Sequence, residues 1–513
     1  MKFSIKGNKQ IKIGALMSYF AIGFNMLAGL IYTPWMIEKI GQNNYGLYTL
    51  ATSLITLFVI DFGMSSAVSR FVSKYKAEGD QQKVNNFLGV VYKLYLIIDA
   101  VVLLALIVVA FFIESIYSNL TPPEMETFKV LYVIVGLFSV ASFPFITLNG
   151  ILNSYEQFIG MKLADLFHKV FIIVAMVLAL LLGQGVFALV TINAISGLLT
   201  IAIKLIIIRK KTAVRVNFRH RDKGMLKEIF SFSIWTTVAS LAHRLIFNIT
   251  PTIIAAVSAT GAVGVALFGL GQTIEGYVYT FATAINGMFM PRISKIVYEG
   301  KKEEQLVPLM IKIGRLQCII IGLLVTGFIS VGKSFVVDIW RKADFADSYL
   351  CAVLLIIPSF FYLPQQIAKT TLIVENKVKL QAYVYVAMGI MNVALSLVLS
   401  KRFGALGACT SIFTVYMVRM LIMSLIYHKV LKLNMIRFAK ETYLKFIPTL
   451  LIVMAIGLAL EHFNPMTHGY IRFLINGIIF VAVFIVLMYF RLNDYEKNLF
   501  FGVLRKMKRR TEK

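Results

Sequence analysis

The sequence predicts an all-α integral membrane protein of about 14 transmembrane helices, arranged as two parallel-related six-helix bundles and a C-terminal helix pair. Three observations predict this fold: apolar segments long enough to cross a bilayer, basic residues confined to alternate gaps, and a weak internal repeat. The composition agrees, because 58% of the 513 residues are hydrophobic and 15% are charged, whereas soluble domains carry about 25% charged residues.

Fourteen apolar segments have the length of about 20 residues that an α-helix needs to cross roughly 30 Å of hydrocarbon. They lie near 11–37, 45–70, 86–112, 128–151, 157–182, 185–208, 229–257, 264–290, 307–332, 348–373, 379–400, 404–428, 444–461 and 470–490. The first follows a basic stretch, as in a signal peptide, but it is too long and no small-residue cleavage site follows. We therefore expect it to be retained.

Lysine and arginine concentrate in every second gap between these segments. The odd-numbered gaps include the basic linker from Arg209 to Lys227 and the tail from Arg491 to Lys513, whereas the even-numbered gaps hold few basic residues. Because positive loops stay in the cytoplasm, the pattern predicts a protein of the cytoplasmic (inner) membrane with both termini cytoplasmic. The net charge of +27 then indicates contact with anionic lipid headgroups and no nucleic acid partner, since the basic residues are spread over many helix ends.

The chain repeats itself weakly, with an offset of about 220 to 223 residues. Pro144 in the fourth segment matches Pro364 in the tenth, and the turn at Gly183 matches the turn at Gly404. Two halves of the same orientation form the parallel repeat class of secondary transporters, which bind substrate where the halves meet. The predicted domains are an N-terminal six-helix bundle with its basic linker, a C-terminal six-helix bundle, and an extra helix pair with a basic tail: 1–225, 226–443 and 444–513.

Polar side chains inside the predicted spans indicate a water-accessible cleft, because charges at membrane depth are costly and usually face a cavity or a partner. Helical spacing places several of them on shared faces of the first, fifth, seventh and eighth spans. The candidates for substrate binding are Arg244, Lys93, Lys169, Asn25, Asn248, Gln272 and Tyr279. The candidates for ion coupling are Asp61, Asp165 and Glu275.

Several of these residues also fit structural roles. Glu275, on the next helix, is the expected counter-ion of Arg244. Asp165 and Lys169 are spaced i,i+4 and equally fit a pair that satisfies itself on one helix. Serine and threonine inside spans often bond to their own helix or join helices together, so the polar stripes alone do not establish a binding site.

Other patterns favour structural roles alone. The stretch from Gly327 to Ser334 fits G-x-x-x-x-G-K-[ST], but a phosphate-binding loop needs a strand and free backbone amides, and these residues end an apolar span. Lys204 and Arg419 lie near the predicted cytoplasmic boundary, so we expect their side chains to snorkel towards the headgroups. Histidine, cysteine and glutamate do not occur with zinc spacing, and we predict no cofactor.

Short motifs in three parts of the chain form a further pattern. They are Ile40-Gly41 to Tyr45-Gly46-Leu47-Tyr48 with Asp61-Phe62-Gly63-Met64, then Met290-Pro291-Arg292-Ile293-Ser294-Lys295, and Gly404-Ala405-Leu406-Gly407. The first set resembles the first two helices of Wzx-type lipid-linked oligosaccharide flippases of the multidrug/oligosaccharidyl-lipid/polysaccharide exporter superfamily. The second resembles the end of their eighth helix and the third their eleven-to-twelve turn. The resemblance extends over essentially the whole chain.

This resemblance implies a flippase and no enzyme. Such a protein would move an undecaprenyl-diphosphate-linked oligosaccharide repeat unit across the membrane for surface polysaccharide biosynthesis, by alternating access with ion coupling. The implied partners are the lipid-linked substrate, membrane lipids, H+ or Na+, and polysaccharide polymerase machinery. The resemblance also implies a groove for the lipid tail at the last two helices. The alternatives are a multidrug/cation antiporter, a peptidoglycan lipid II flippase, and a membrane enzyme that polymerises or ligates sugars.

Overall fold

A computed structural model describes most of the chain, and every regular element in the described residues is a helix. The described residues are 23, 29, 31–58, 61, 64–283, 293, 296–297, 299–339, 343–375, 377–464 and 469–498. The first half comprises α1 (31–40), α2 (Gln42–Phe58), α3 (Met64–Ala77), α4 (Gln81–Phe111), α5 (Ile113–Ile116), α6 (Pro122–Ser142), α7 (Leu148–Ser154), α8 (Phe158–Leu181) and α9 (Val186–Lys211). The second half comprises α10 (Lys223–Phe247), α11 (Thr250–Val257), α12 (Gly261–Thr283), α13 (Val307–Ser334), α14 (Ala346–Tyr362), α15 (Gln366–Val374), α16 (Val378–Lys429), α17 (Met435–Glu441), α18 (Tyr443–Phe463) and α19 (Gly469–Tyr489).

Ten helical stretches in the described part of the chain are long and apolar enough to cross a membrane. One of them, α16, has 52 residues and contains two of the predicted spans. The two spans are separated by a bend at Gly404, where φ is +58°. Only glycine adopts that backbone conformation without strain. The helical multi-pass membrane fold is thus confirmed. The total of about 14 stays a prediction, since most of the first segment lies outside the described residues.

Large apolar side chains cover the outer surface of several helices. On α4, Val101, Leu104 and Val108 recur every three or four residues and are 54% to 62% exposed. Phe111 at the end of the same helix is 83% exposed. A water-soluble monomer rarely exposes contiguous apolar surface of this extent, so these faces indicate contact with lipid.

Proline breaks helices at matching places of the predicted repeat. Pro144 lies in a three-residue 3₁₀ turn between α6 and α7, and Pro364 lies in a three-residue 3₁₀ turn between α14 and α15. Proline has no N–H and its ring obstructs the preceding turn of an α-helix. The two turns are 220 residues apart, which agrees with the offset of the predicted repeat.

Contacts along the chain define two compact units, residues 1–269 with 378–411, and residues 270–377 with 412–513. The sequence-predicted boundaries at 225 and 443 stay a prediction. In the first unit, a buried core of aromatic and aliphatic side chains lies among α3, α4 and α7, with the Phe71 and Phe87 rings 5.3 Å apart. This core fixes α3, which carries much of the candidate site.

In the second unit, the two last long helices pack against α13. A Cβ added at Gly322 would come within 2.9 Å of Leu450 of α18, and one added at Gly314 would come within 2.7 Å of Phe438 of the short helix α17. At one end, Glu461 of α18 accepts hydrogen bonds from Ser334 of α13 and from Asn476 of α19. Small residues and buried polar contacts therefore hold α18 and α19 to α13.

Candidate functional site

Two spanning segments of the first unit are discontinuous. The second predicted span divides into α2 and α3, with Asp61 in non-helical backbone between them. The seventh divides into α10 and α11, and Pro251 lies in the first turn of α11. Proline is favoured there because the N–H it lacks would have no helical partner. Interrupted helices are the places where transporters expose backbone groups to substrates and ions.

Side-chain contacts join the two interruptions. Asn248 follows the end of α10 and its Nδ2 donates to Thr56 Oγ1 of α2 at 2.5 Å. Arg244, half-buried on the last turn of α10, attracts the carboxylate of Asp61. Asn392 of α16 donates to the carbonyls of Leu245 and Ile246 at 3.3 and 3.1 Å, so two carbonyl groups in the last turn of α10 have a side-chain partner. An acid and a base that attract each other, and an amide, thus lie at the two breaks.

Asp61 caps the helix that follows it. The backbone N–H of Ser65 donates to Asp61 Oδ1 at 3.0 Å and the Ser65 hydroxyl donates to the same oxygen at 2.8 Å. Tyr95 of α4 fixes the backbone, since its hydroxyl donates to the Asp61 carbonyl at 2.7 Å. A carboxylate at a helix N-terminus is favoured by the unpaired N–H groups and by the helix dipole. These hydrogen bonds therefore hold the side chain and the backbone of Asp61 in a fixed orientation.

A polar cavity of about 570 Å³ begins at Ser65 and is lined also by Ser69, Arg70, Ser73 and Asn153. The three serines are spaced i, i+4 and i+8, so they share one face of α3. Their hydroxyls and the amide both donate and accept hydrogen bonds, and the guanidinium only donates. The volume falls in the range of about 300 to 1,000 Å³ typical of ligand sites. The wall suits a ligand that carries hydroxyls and negative charge.

Gly150 allows α7 to form the opposite wall of this cavity. A Cβ added at Gly150 would lie 2.4 Å from the carbonyl oxygen of Ser65, a distance that no side chain tolerates. The close approach of α7 brings Asn153, one turn further on, against α3. The glycine is thus required by packing at the site.

Asp165 and Lys93, both predicted as site residues, have direct partners within the first unit. Asp165 Oδ1 is 2.7 Å from Lys204 Nζ, which also donates to Asn149 Oδ1 at 2.9 Å. Lys204 is 9% exposed, so the prediction that it snorkels is wrong: an acid and an amide on neighbouring helices bind it inside. The charge of Asp165 attracts Lys169, but the residue in direct contact with Asp165 is Lys204. Lys93 donates to the backbone carbonyl of His220 in the basic linker.

In the second unit, Glu275 belongs to a buried aromatic cluster. Glu275 is 8% exposed and its carboxylate is hydrogen-bonded to Tyr362. Arg419 places its guanidinium 4.9 Å from the Tyr362 ring and 5.1 Å from the Tyr416 ring. Arg419 is 7% exposed, so it does not snorkel as predicted, because two tyrosine faces hold its charge inside.

The predicted polar stripe of the eighth span does not share one environment. Tyr279 is 42% exposed and Gln272 is half-buried, whereas Glu275 is buried. Neighbouring helices therefore decide exposure on α12 more than helical spacing does. Asn25, predicted to bind substrate, lies outside the described residues. Asp61, Arg244 and Asn248 are the predicted residues that lie at the two helix interruptions of the first unit.

Sequence reasoning missed the side chains that line the cavity. Ser69, Ser73 and Asn153 were not predicted as site residues. A signal was available in the serine spacing of four residues beside Arg70. That spacing is common in membrane helices, where serine mostly bonds to its own backbone, so the spacing alone did not identify the wall of a cavity.

A family description, Polysaccharide biosynthesis protein, matches residues 12–297, which is more than half of the chain. The chain belongs to this family. It is 24% identical over 372 residues to the uncharacterized membrane protein MJ1375 of Methanocaldococcus jannaschii, covering 71% of this chain and 83% of that protein. It is also 24% identical over 280 residues to the uncharacterized membrane protein EpsK of Bacillus subtilis, with 51% of each covered.

Solved structures with the same fold are transporters. The lipid II flippase MurJ in an inward closed conformation aligns with a TM-score of 0.69 and 14% identity, over 96% of this chain and 99% of that one. An inward-facing multidrug resistance MATE family transporter of the MOP superfamily aligns with a TM-score of 0.65 and 16% identity, over 83% and 98%. At these identities the likenesses show that this chain shares the fold of those transporters, while the family membership is that of a polysaccharide biosynthesis protein.

Proposed function

We propose that this family member is a flippase that moves an undecaprenyl-diphosphate-linked oligosaccharide repeat unit across the cytoplasmic membrane for surface polysaccharide biosynthesis. The observation that carries the proposal is the serine-lined cavity that begins beside Asp61, the acidic neighbour of Arg244. The alternation of basic loops supports an orientation with both termini in the cytoplasm. Product released outside would then reach the polysaccharide polymerase machinery.

The chemistry of the cavity matches the parts of such a substrate. A sugar diphosphate does not cross hydrocarbon unaided, because its charges and hydroxyls would lose their hydrogen bonds. Ser69, Ser73 and Asn153 offer donors and acceptors for sugar hydroxyls. Arg70 and Arg244 offer charge-assisted hydrogen bonds to phosphate. The polyprenyl tail stays in lipid, against the apolar faces of the helices.

Asp61 is the acidic residue to which we assign ion coupling. The carboxylate of Asp165 is already bound to Lys204, and that of Glu275 is buried with Tyr362. Asp61 lies at a helix interruption and its partner Ser65 lines the cavity. Binding of H+ or Na+ at Asp61 cancels its attraction for Arg244 and releases the guanidinium for the diphosphate. Substrate and ion thus compete for one electrostatic pair during alternating access.

The test is transport by the purified chain in proteoliposomes. A fluorescent undecaprenyl-diphosphate oligosaccharide is incorporated, and its exposure on the opposite leaflet is followed with an impermeant quencher under imposed H+ or Na+ gradients. We expect protein-dependent exposure that responds to one gradient, and Asp61→Asn should remove that response. Proton-driven export of a cationic dye without movement of the lipid-linked sugar would instead identify a multidrug antiporter.

A second candidate substrate, peptidoglycan lipid II, is suggested by the likeness to the lipid II flippase MurJ, whose alignment covers 96% of this chain. The same vesicles distinguish the two substrates when lipid II replaces the lipid-linked oligosaccharide. Both lipids carry a polyprenyl diphosphate, so their sugar and peptide parts determine which of the two the protein moves. Faster exposure of lipid II would replace the first substrate with the second.

A further inference from the structure

A second cavity, of about 460 Å³, lies in the second unit at one end of the last long helices. Residues of α13, α17 and α18 and of the segment after α19 line it. Its volume is within the range of small-molecule sites. It belongs to a different unit from the cavity assigned to transport, and its chemistry is different, because basic side chains predominate.

A buried ion pair forms the framework of this cavity. The Nε and Nη2 atoms of Arg315 donate to the two carboxylate oxygens of Glu496 at 2.5 and 2.7 Å. The guanidinium also donates to the backbone carbonyls of Glu441 and Arg491, each at 3.0 Å. Arg315 is 5% exposed and Glu496 is 1% exposed. The pair is therefore neutral overall, and it fixes three separate stretches of chain around the cavity.

The charge that remains at the cavity is positive. Arg437 is neutralised by Glu441, whose Oε1 is 2.8 Å from its Nε. Among the described residues, no carboxylate lies within 4.0 Å of the nitrogens of Lys312, Lys445 or Arg491. Glu441, the acid in the cavity wall, is already paired with Arg437, so three cationic groups line the space without a carboxylate partner among the described residues, an arrangement that favours an anion.

Two of the three cations are already held in place. The Lys312 ammonium lies 3.6 Å from the centre of the Tyr495 ring, and Arg491 Nε donates to Thr449 Oγ1 at 3.0 Å. Both contacts leave other N–H groups available to a ligand. A site whose donors are fixed before binding loses less side-chain entropy when the ligand arrives.

The cavity lies where the apolar helices end. Lys445 is in the first turn of α18, and Arg491 follows the end of α19. Beside them, Leu444 is 61% exposed and Phe490 is 77% exposed, so apolar surface for acyl chains adjoins the basic groups. Basic pockets between transmembrane helices, where the apolar stretches end, bind anionic lipid headgroups. We infer that this cavity binds the phosphate group of an anionic lipid headgroup through Lys312, Lys445 and Arg491.

The test measures lipid retention on the purified full chain. Protein in detergent is titrated with phosphatidylglycerol, or with phosphatidylcholine as the neutral comparison, and bound lipid is counted by native mass spectrometry. Replacing Lys312, Lys445 and Arg491 together by glutamine should weaken phosphatidylglycerol binding about 100-fold, on the order of fivefold for each charge removed. Phosphatidylcholine binding should not change.

Two further variants keep the result interpretable. Lys440→Gln removes an exposed lysine from α17 that does not line the cavity, so its binding should equal that of the parent chain. Glu441→Gln releases Arg437 from its partner, so binding should tighten about fivefold. Unchanged thermal unfolding shows that each variant is folded.

Competition with inorganic phosphate identifies the source of the phosphate group. Displacement of phosphatidylglycerol only at high phosphate concentration supports the lipid headgroup as ligand. Displacement at equal concentrations supports a site for phosphate itself, with the same three side chains. Equal phosphatidylglycerol binding by the triple variant and by Lys440→Gln would overturn the inference. None of these measurements depends on transport, so the flippase proposal is tested separately.

Discussion

The two units place an acid near an arginine in different surroundings. In the first unit, Asp61 and Arg244 lie at helix interruptions, beside a cavity lined by hydroxyl groups. In the second, Glu275 and Arg419 are both less than 9% exposed and share the Tyr362 side chain. Charged groups beside a polar cavity can form new hydrogen bonds with water or a ligand. Charged groups enclosed by aromatic rings are not accessible to either. The first cluster suits transport and the second suits stability.

The largest expected effect is on transport, from Arg244→Gln. The substitution removes the charge that attracts Asp61 and, in our proposal, binds the diphosphate. Because a hydrogen bond to a charged group contributes about 1.5 to 3 kcal/mol, we expect transport to fall on the order of 100-fold. The measurement is flipping of the lipid-linked oligosaccharide in proteoliposomes. Arg402→Gln, which changes an exposed arginine of the same unit, should be neutral, and full transport by Arg244→Gln would exclude it from the site.

The next effect is on stability, from Arg419→Gln in the second unit. Loss of a desolvated cation held over two tyrosine rings should cost about 2 kcal/mol. Thermal unfolding of the purified protein measures this loss, and transport per folded molecule should stay near that of the parent chain. Lys429→Gln, an exposed position on the same helix, serves as the control. A transport defect without a stability defect would show that the second cluster also takes part in transport.

A smaller effect is expected where packing shapes the first site. Gly150→Ala places a methyl group against the Ser65 carbonyl, which should destabilise the protein by about 1.5 kcal/mol, as in other overpacked cores. Gly136→Ala is a matched control, since its Cβ would meet only Leu106 Cδ1 at 3.8 Å and alanine favours helix by up to about 1 kcal/mol. Equal stability of the two variants would argue against the close approach of α3 and α7.

The smallest effect concerns Glu375, at the end of α15. Burial alone would raise the pKa of this carboxyl, but Lys302 and Lys377 together lower it below its usual value. A lowered pKa stabilises the folded chain above about pH 4.5, and this contribution is lost as the pH falls through the lowered value. We expect at most about 1 kcal/mol. Thermal unfolding between pH 3 and 6 should show a smaller acid-dependent loss for Glu375→Gln, and identical profiles would contradict the assignment.

Local features of the fold were predictable because each depends on residues close in sequence. The length of an apolar segment predicts a membrane helix, and Gly404 predicts a turn between two spans. Pro144 and Pro364, used only as markers of the repeat, both interrupt helices. The family resemblance likewise came from short contiguous motifs. Where the structure corrected a prediction, as at Lys204 and Arg419, the error was to treat a charged side chain without knowing its neighbours.

The sequence by itself determined a basic, apolar chain that folds as membrane helices, since hydrophobic length and composition decide the solvent in which a chain is stable. Tertiary structure alone decided which charged side chains lie near each other. Arg244 lies 183 residues from Asp61 and Arg315 lies 181 residues from Glu496. Electrostatic attraction falls with distance in space, and separation along the chain does not reveal that distance. The acid–base pair at the candidate transport site and the basic cavity near the last helices became visible only once the helices were packed.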